Sequence, residues 1–69
     1  MRSDTYVACE VTFKFATKDA ILIAQDGSEH WVPRSVLNYS TDREIDKYGK
    51  NQDVNISLRE WFVEKVGLR

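Results

Sequence analysis

Residues 20–37 read AILIAQDGSEHWVPRSVL, and the reading of this stretch decides the fold. Residues 20–24 form an unbroken apolar run rich in isoleucine. Asp26-Gly27 follows, a dipeptide that favours the tight two-residue turn of a β-hairpin. Residues 29–32 return as the second arm. Pro33 stops them, because proline has no N–H to give to a strand ladder. A two-residue loop sets Ile23 across from His30, Leu22 across from Trp31 and Ile21 across from Val32. That register pairs apolar with apolar more often than a three-residue loop would. An apolar run this short suits a central strand buried on both faces.

Outward from the hairpin, residues 6–15 alternate. Val7, Cys9, Val11, Phe13 and Phe15 share one face, and Tyr6, Ala8, Glu10, Thr12 and Lys14 share the other. Period two over this length predicts a half-buried antiparallel strand. Thr17-Lys18-Asp19 is a polar turn into the hairpin. Beyond it, Pro33-Arg34-Ser35 is a corner, after which residues 36–40 are expected to resume as a strand. Residues 41–53 hold charges of both signs and two lone apolar residues, Ile45 and Tyr48. Thr41-x-x-Glu44 resembles a capping box with Gly49 as helix end, and the alternative is an open surface loop. Val54, Ile56 and Leu58 alternate as a last strand.

The C-terminus carries a helix code. Ser57-x-x-Glu60 has the form of a capping box, and Ile56 with Trp61 has the spacing of a hydrophobic staple. Leu58, Trp61, Phe62 and Val66 form one apolar stripe, which puts Trp61 in the core. Gly67 stands where a helix ends in a left-handed residue, with Val63 and Leu68 spaced for the accompanying apolar contact. The expected fold is α+β, mainly β: one domain over residues 1–69. Its core is a small antiparallel four- to five-stranded barrel or curled sheet with one C-terminal α-helix.

Composition narrows the function. Ten Lys and Arg against eleven Asp and Glu give a net charge of −1. Polyanion binders normally present a basic footprint, so nucleic acid is not expected as the primary partner. No apolar run approaches the ~18 residues of a membrane span. The first residues do not read as a secretory signal, and a single cysteine makes no internal disulfide, so a cytoplasmic location is expected.

Catalysis fails on inventory. The chain has one His and one Cys and no clustered metal ligands, so no enzyme activity, cofactor or metal is expected. Cys9 falls on the apolar face and reads as a small buried hydrophobe with a raised pKa. Aromatics offer more. Trp31 is open between core filling and surface. Beside Arg34 it suits either base stacking, as in single-strand-binding barrels, or a protein interface. The expected contact surface is the rim of Trp31, Arg34 and Tyr39, extended by Asp42, Glu44 and Asp46. The fallback is the outer face of the first strand, around Tyr6, Glu10 and Lys14.

A resemblance adds to this reading. Residues 18–23, KDAILI, lead to Trp31-Val32-Pro33-Arg34-Ser35, and the end carries Glu60-Trp61 and Lys65-Val66-Gly67-Leu68. The pattern resembles small phage-encoded domains of uncharacterised function, with a W-aliphatic-P-K/R-S element and a closing EW…KxGL helix. It spans most of the chain except residues 41–53, a longer connection than the resemblance leads one to expect. It implies a phage or prophage origin, a bacterial host cell and a small barrel-like fold, and it transfers no catalytic residue. Origin, size and the lack of catalytic groups lead to an expected accessory protein that binds a host protein or complex. One such role is inhibition of a host defence complex, in the manner of an anti-CRISPR protein. The alternative is a single-stranded nucleic-acid-binding barrel module.

Overall fold

The computed structural model describes residues 5–68. Four strands, β1 (Tyr6–Ala16), β2 (Ala20–Gln25), β3 (Ser28–Pro33) and β4 (Gln52–Arg59), form one open antiparallel sheet in the order β3-β2-β1-β4. Between β3 and β4 lie a 3₁₀ turn (Arg34–Val36), helix α1 (Tyr39–Glu44) and a second 3₁₀ turn (Ile45–Lys47). Helix α2 (Glu60–Val66) follows β4. The fold is α+β and mainly β.

The hairpin turn is a two-residue one. Asp26 and Gly27 both take positive φ, 54° and 81°, the signature of a type I′ turn. The strands pair as the sequence suggests: Ile21 with Val32, Leu22 with Trp31, Ile23 with His30. In this geometry Glu29, Trp31 and Pro33 turn their backbone groups away from β2. Proline therefore sits where no ladder bond is lost, and the chain turns the corner with Arg34 N–H donating to Asp19 O at 3.0 Å.

β1 contains the irregularity that shapes the outer face. Phe13 pairs with Ile23, but Phe15 pairs with Leu22, so two steps on β1 match one on β2. Lys14 is the extra residue of a β-bulge. Past the bulge the alternation inverts. Ala16 turns inward, opposite Ile21, and Phe15 turns outward, 57% exposed. The expectation that Phe15 shares the buried face is corrected by this one inserted residue.

The inner face carries Cys9, Val11, Phe13, Ile21, Ile23, Val32, Val54, Ile56 and Leu58, all buried. Val36 and Leu37 after β3, Ile45 of the second 3₁₀ turn, and Phe62, Val63 and Leu68 of the C-terminal segment complete this core. Tyr48 packs edge-on against Phe13 with ring centroids 5.8 Å apart. β2 is covered on this side only. Ile21 and Ile23 are fully buried while Ala20, Leu22 and Ala24 are half-exposed, so the double burial expected of β2 does not occur.

Further expectations are corrected. Residues 36–40 do not resume as a strand. Leu37 makes one isolated bridge to Leu58, and the chain then enters α1. The N-cap of α1 is Asn38, whose Oδ1 accepts from Thr41 N–H at 2.8 Å; Thr41 lies inside the helix, and its Oγ1 accepts from Ser57 N–H at 3.0 Å. Gly49 ends no helix: its N–H donates to Gln52 Oε1 at 2.8 Å, in the turn before β4. At the C-terminus Ser57 is a strand residue, and Arg59 is the N-cap of α2 without a side-chain cap. The sheet claimed the capping-box residues because Ser57 and Leu58 pair with Ala8 and Val7. A later start rotates the helix: Phe62 and Val63 are buried, while Trp61 is 53% exposed and no core residue. The helix end agrees with expectation. Gly67 is left-handed at φ 80°, Leu68 N–H donates to Val63 O at 3.0 Å, and both apolar partners are buried.

Candidate binding face

α1, α2 and the 3₁₀ turns pack on the inner side of the sheet, and among the described residues nothing packs over the outer side. Outward side chains line up in rows across the strands. One row is Phe15, Leu22 and Trp31 on β1, β2 and β3. Phe15 and Trp31 are each more than half exposed, at 57% and 54%. The next row, two residues along, is Asp53, Thr12, Ala24 and Glu29, running from β4 to β3. Beyond it Glu10 pairs with Asn55. An aromatic row therefore borders an acidic one, about 7 Å away at strand rise.

The acidic rows are concave. Glu10, Thr12, Ala24, Asp53 and Asn55, with Asp26 at the hairpin end, line an open cleft of about 470 Å³. Gln25 Nε2 donates to Glu10 O at 2.9 Å and ties the hairpin tip to β1. Thr12 Oγ1 donates to Asp53 Oδ1 at 2.9 Å and fixes that carboxylate. Among the described residues, two cations share the outer face, and both have neighbours. Lys14 Nζ donates to Asn51 Oδ1 at 2.8 Å, and the Arg59 guanidinium lies 5.4 Å from the centre of the Tyr6 ring.

The rim expected from the sequence is divided between two sides of the molecule. Trp31 lies on the outer face. Arg34 turns toward the helical layer: Nε donates to Thr17 O at 3.1 Å, one terminal nitrogen meets Asp42 at 3.3 Å, and the other meets Asp46 at 3.0 Å. The hydrogen bond to Asp46 raises the guanidinium pKa most, and desolvation opposes it. Arg34 is a tie between the β1–β2 turn and α1. Asp42 and Asp46 are four apart and share the helical face that grips it. Glu44 lies on another face and approaches Lys47 at 3.9 Å. Tyr39 is 75% exposed, with the Arg43 guanidinium 5.4 Å from its ring centre. The fold thus gathers Arg34, Asp42 and Asp46, and leaves Trp31, Tyr39 and Glu44 apart from them.

Cys9 is buried on the inner face, and burial raises its thiol pKa, as the alternation of β1 led one to expect. His30 is half-buried at the rim of the hairpin. Among the described residues no group of three or more His, Cys, Asp or Glu side chains is arranged to hold a metal ion, and no helix is long and apolar enough to cross a membrane. Sequence reasoning missed Phe15 as a surface residue, Leu22 as facing outward, and Asp53 as part of a cleft. The hairpin register held a signal for Leu22, since Ile21 and Val32 facing in put Leu22 and Trp31 out. The bulge at Lys14 left none. Comparison with protein-family models, with curated proteins and with solved structures found no match.

Proposed function

We propose that this chain is a non-catalytic protein-binding module that docks through the open face of its sheet, around Phe15, Leu22 and Trp31. The row of two half-exposed aromatics about one leucine carries the reading. Solvent-facing aromatics in a continuous patch mark interaction surfaces, and Trp is enriched among the anchors that supply most interface energy. Strand pairing holds these side chains in place before binding, which lowers the ordering cost.

The finer reading rests on the resemblance and on size. In it the protein is a phage or prophage accessory acting in the bacterial cytoplasm. It occupies a working surface of a host defence complex such as a CRISPR effector. The same reading takes the sheet as a curled one, part-way to a small barrel, because Leu37 bridges Leu58 across the sheet from the hairpin it follows. The aromatic row also suits stacked bases, the basis of the single-strand-binding alternative. Glu10, Glu29 and Asp53 on the same face oppose phosphate, which favours a protein.

The test is capture from bacterial lysate on the immobilised chain, with and without nuclease, beside the double variant Phe15→Ser/Trp31→Ser. The expected result is a nuclease-resistant protein band that the double variant loses. A band unchanged in the double variant overturns the docking face. A band lost on nuclease treatment transfers the function to nucleic acid.

A further inference from the structure

We infer that the open face takes a protein segment presenting a lysine or arginine beside an aliphatic or aromatic residue. The cation would sit in the acidic cleft and the apolar side chain on the Phe15–Leu22–Trp31 row. This deepens the docking reading and rests on it.

Charge supplies the first argument. Three carboxylates, Glu10, Asp26 and Asp53, surround the cleft, and a fourth, Glu29, stands on the same cross-strand row as Asp53. The side chains of Glu10 and Glu29 have no hydrogen bond or ion pair among the described residues. Among the described residues, the hydrogen bond to the Asp53 carboxylate comes from the neutral Thr12 hydroxyl. The outward cations, Lys14 and Arg59, are turned to Asn51 and Tyr6. Several negative charges about one concave site focus a field that attracts a cation and repels an anion.

Distance supplies the second. Adjacent outward rows lie about 7 Å apart along the strands. A lysine or arginine side chain is about that long, so neighbouring residues of one segment reach the cleft and the aromatic row together. Glu29 and Trp31 are two apart on β3 and face the same way, so a carboxylate and an indole are adjacent. That pairing favours a guanidinium or ammonium twice over, through charge and through the ring face. A second copy of this chain would bring its own acidic cleft to the contact. A single-stranded nucleic acid would bring phosphates to the four carboxylates.

The experiment is an NMR titration of the ¹⁵N-labelled chain with a capped peptide alternating arginine and leucine, and with its twin carrying glutamate for arginine. The arginine peptide is expected to shift the amides of Glu10, Thr12, Ala24 and Trp31, and the glutamate twin to leave them in place. The double variant Glu10→Gln/Asp53→Asn keeps side-chain shape and the acceptor for Thr12. It is expected to bind the arginine peptide roughly three- to tenfold more weakly, as loss of two surface charge pairs implies. Equal binding of the twins, unchanged affinity in the double variant, or shifts confined to the helical side each overturn the inference. So do concentration-dependent shifts of the same amides without peptide, which assign the face to a second copy, and shifts caused by an oligothymidine. If the twins bind alike while Phe15→Ser/Trp31→Ser still abolishes capture from lysate, the cation falls and the docking face stands. Capture indifferent to Phe15→Ser/Trp31→Ser removes the docking face itself.

Discussion

Phe13 and Phe15 stand two residues apart on β1, on opposite faces of the same sheet. Phe13 is 5% exposed, edge-on to Tyr48 and under the helical layer; Phe15 is 57% exposed beside Leu22 and Trp31. The same contrast holds for the faces as wholes. Inner isoleucines, valines and leucines are sealed by α1, α2 and the turns. The outer face carries aromatic surface of similar chemistry with nothing over it among the described residues. Apolar surface stabilises a fold in proportion to the area removed from water. The inner face therefore holds the protein together, and the outer aromatics contribute little to that. Their chemistry is available for an intermolecular contact.

The sharpest way to break this comparison is in α2, where Phe62 is buried and its neighbour Trp61 is 53% exposed, their rings meeting edge-on with centroids 5.8 Å apart. Phe62→Ala is expected to cost about 3–5 kcal/mol, the usual range for deleting a buried aromatic, which is enough to unfold a domain of this size. Trp61→Ala is expected to cost under about 1 kcal/mol, since the indole is half in water. Urea denaturation of the two variants checks both. Equal midpoints would mean that the two aromatics do not differ in burial as described.

A smaller effect concerns how the helical layer is fastened. The sequence places Arg34 on a displayed contact rim, which implies little loss of stability when it is removed. Its contacts to Thr17 O, Asp42 and Asp46 revise that. Arg34→Ala is expected to cost about 1 kcal/mol, a partly solvated ionic cluster being worth less than a buried one. In the same assay Trp31→Ser should cost no more than this, as an exposed cross-strand contact does. A larger loss for Trp31→Ser would make the outer face structural.

The smallest effect is a pH dependence confined to the covered side. Burial, and then the charge of Glu44, raise the Tyr48 phenol pKa, and burial raises the Cys9 thiol. A pKa raised in the folded state means that the folded chain holds the proton more tightly. Stability from such a group is full below its unfolded pKa and is lost as pH rises through the folded value. For the phenol the loss begins above about pH 10. Tyr48→Phe should flatten the alkaline limb of a stability–pH curve. Phe15→Ser should leave that limb unchanged.

The turn and register of the hairpin were legible, though not that β2 is covered on one side only. Asp26-Gly27 tolerates the positive φ that a type I′ turn needs at both positions, which favours a two-residue loop, and that loop sets the register. The Gly67 helix end was legible for the same reason, because a left-handed residue is a local requirement. The inward set Cys9, Val11, Phe13, Val54, Ile56 and Leu58 followed from period two. The candidate site was legible only in part. Trp31 and Glu10 were singled out, but on two surfaces held as alternatives. Arg34, Asp42 and Asp46 were read as displayed when they are engaged with one another.

What the sequence determined by itself was every feature set by neighbouring residues: the tight turn, the strand alternation and the left-handed end of the last helix. What only the tertiary structure decided was the outcome of competition between distant segments. Ser57 and Leu58 carry a helix-start pattern, but eight consecutive pairings with β1 keep β4 extended to Arg59 and turn Trp61 into water. Thr41 carries a cap pattern, but Asn38 caps α1 and frees the Thr41 hydroxyl to receive the Ser57 N–H. Ala16 fits inward against Ile21, and the bulge at Lys14 that allows this sends Phe15 to the open face. A local code offers two conformations of similar energy. Long-range pairing and burial are worth more than that difference, so they choose between them.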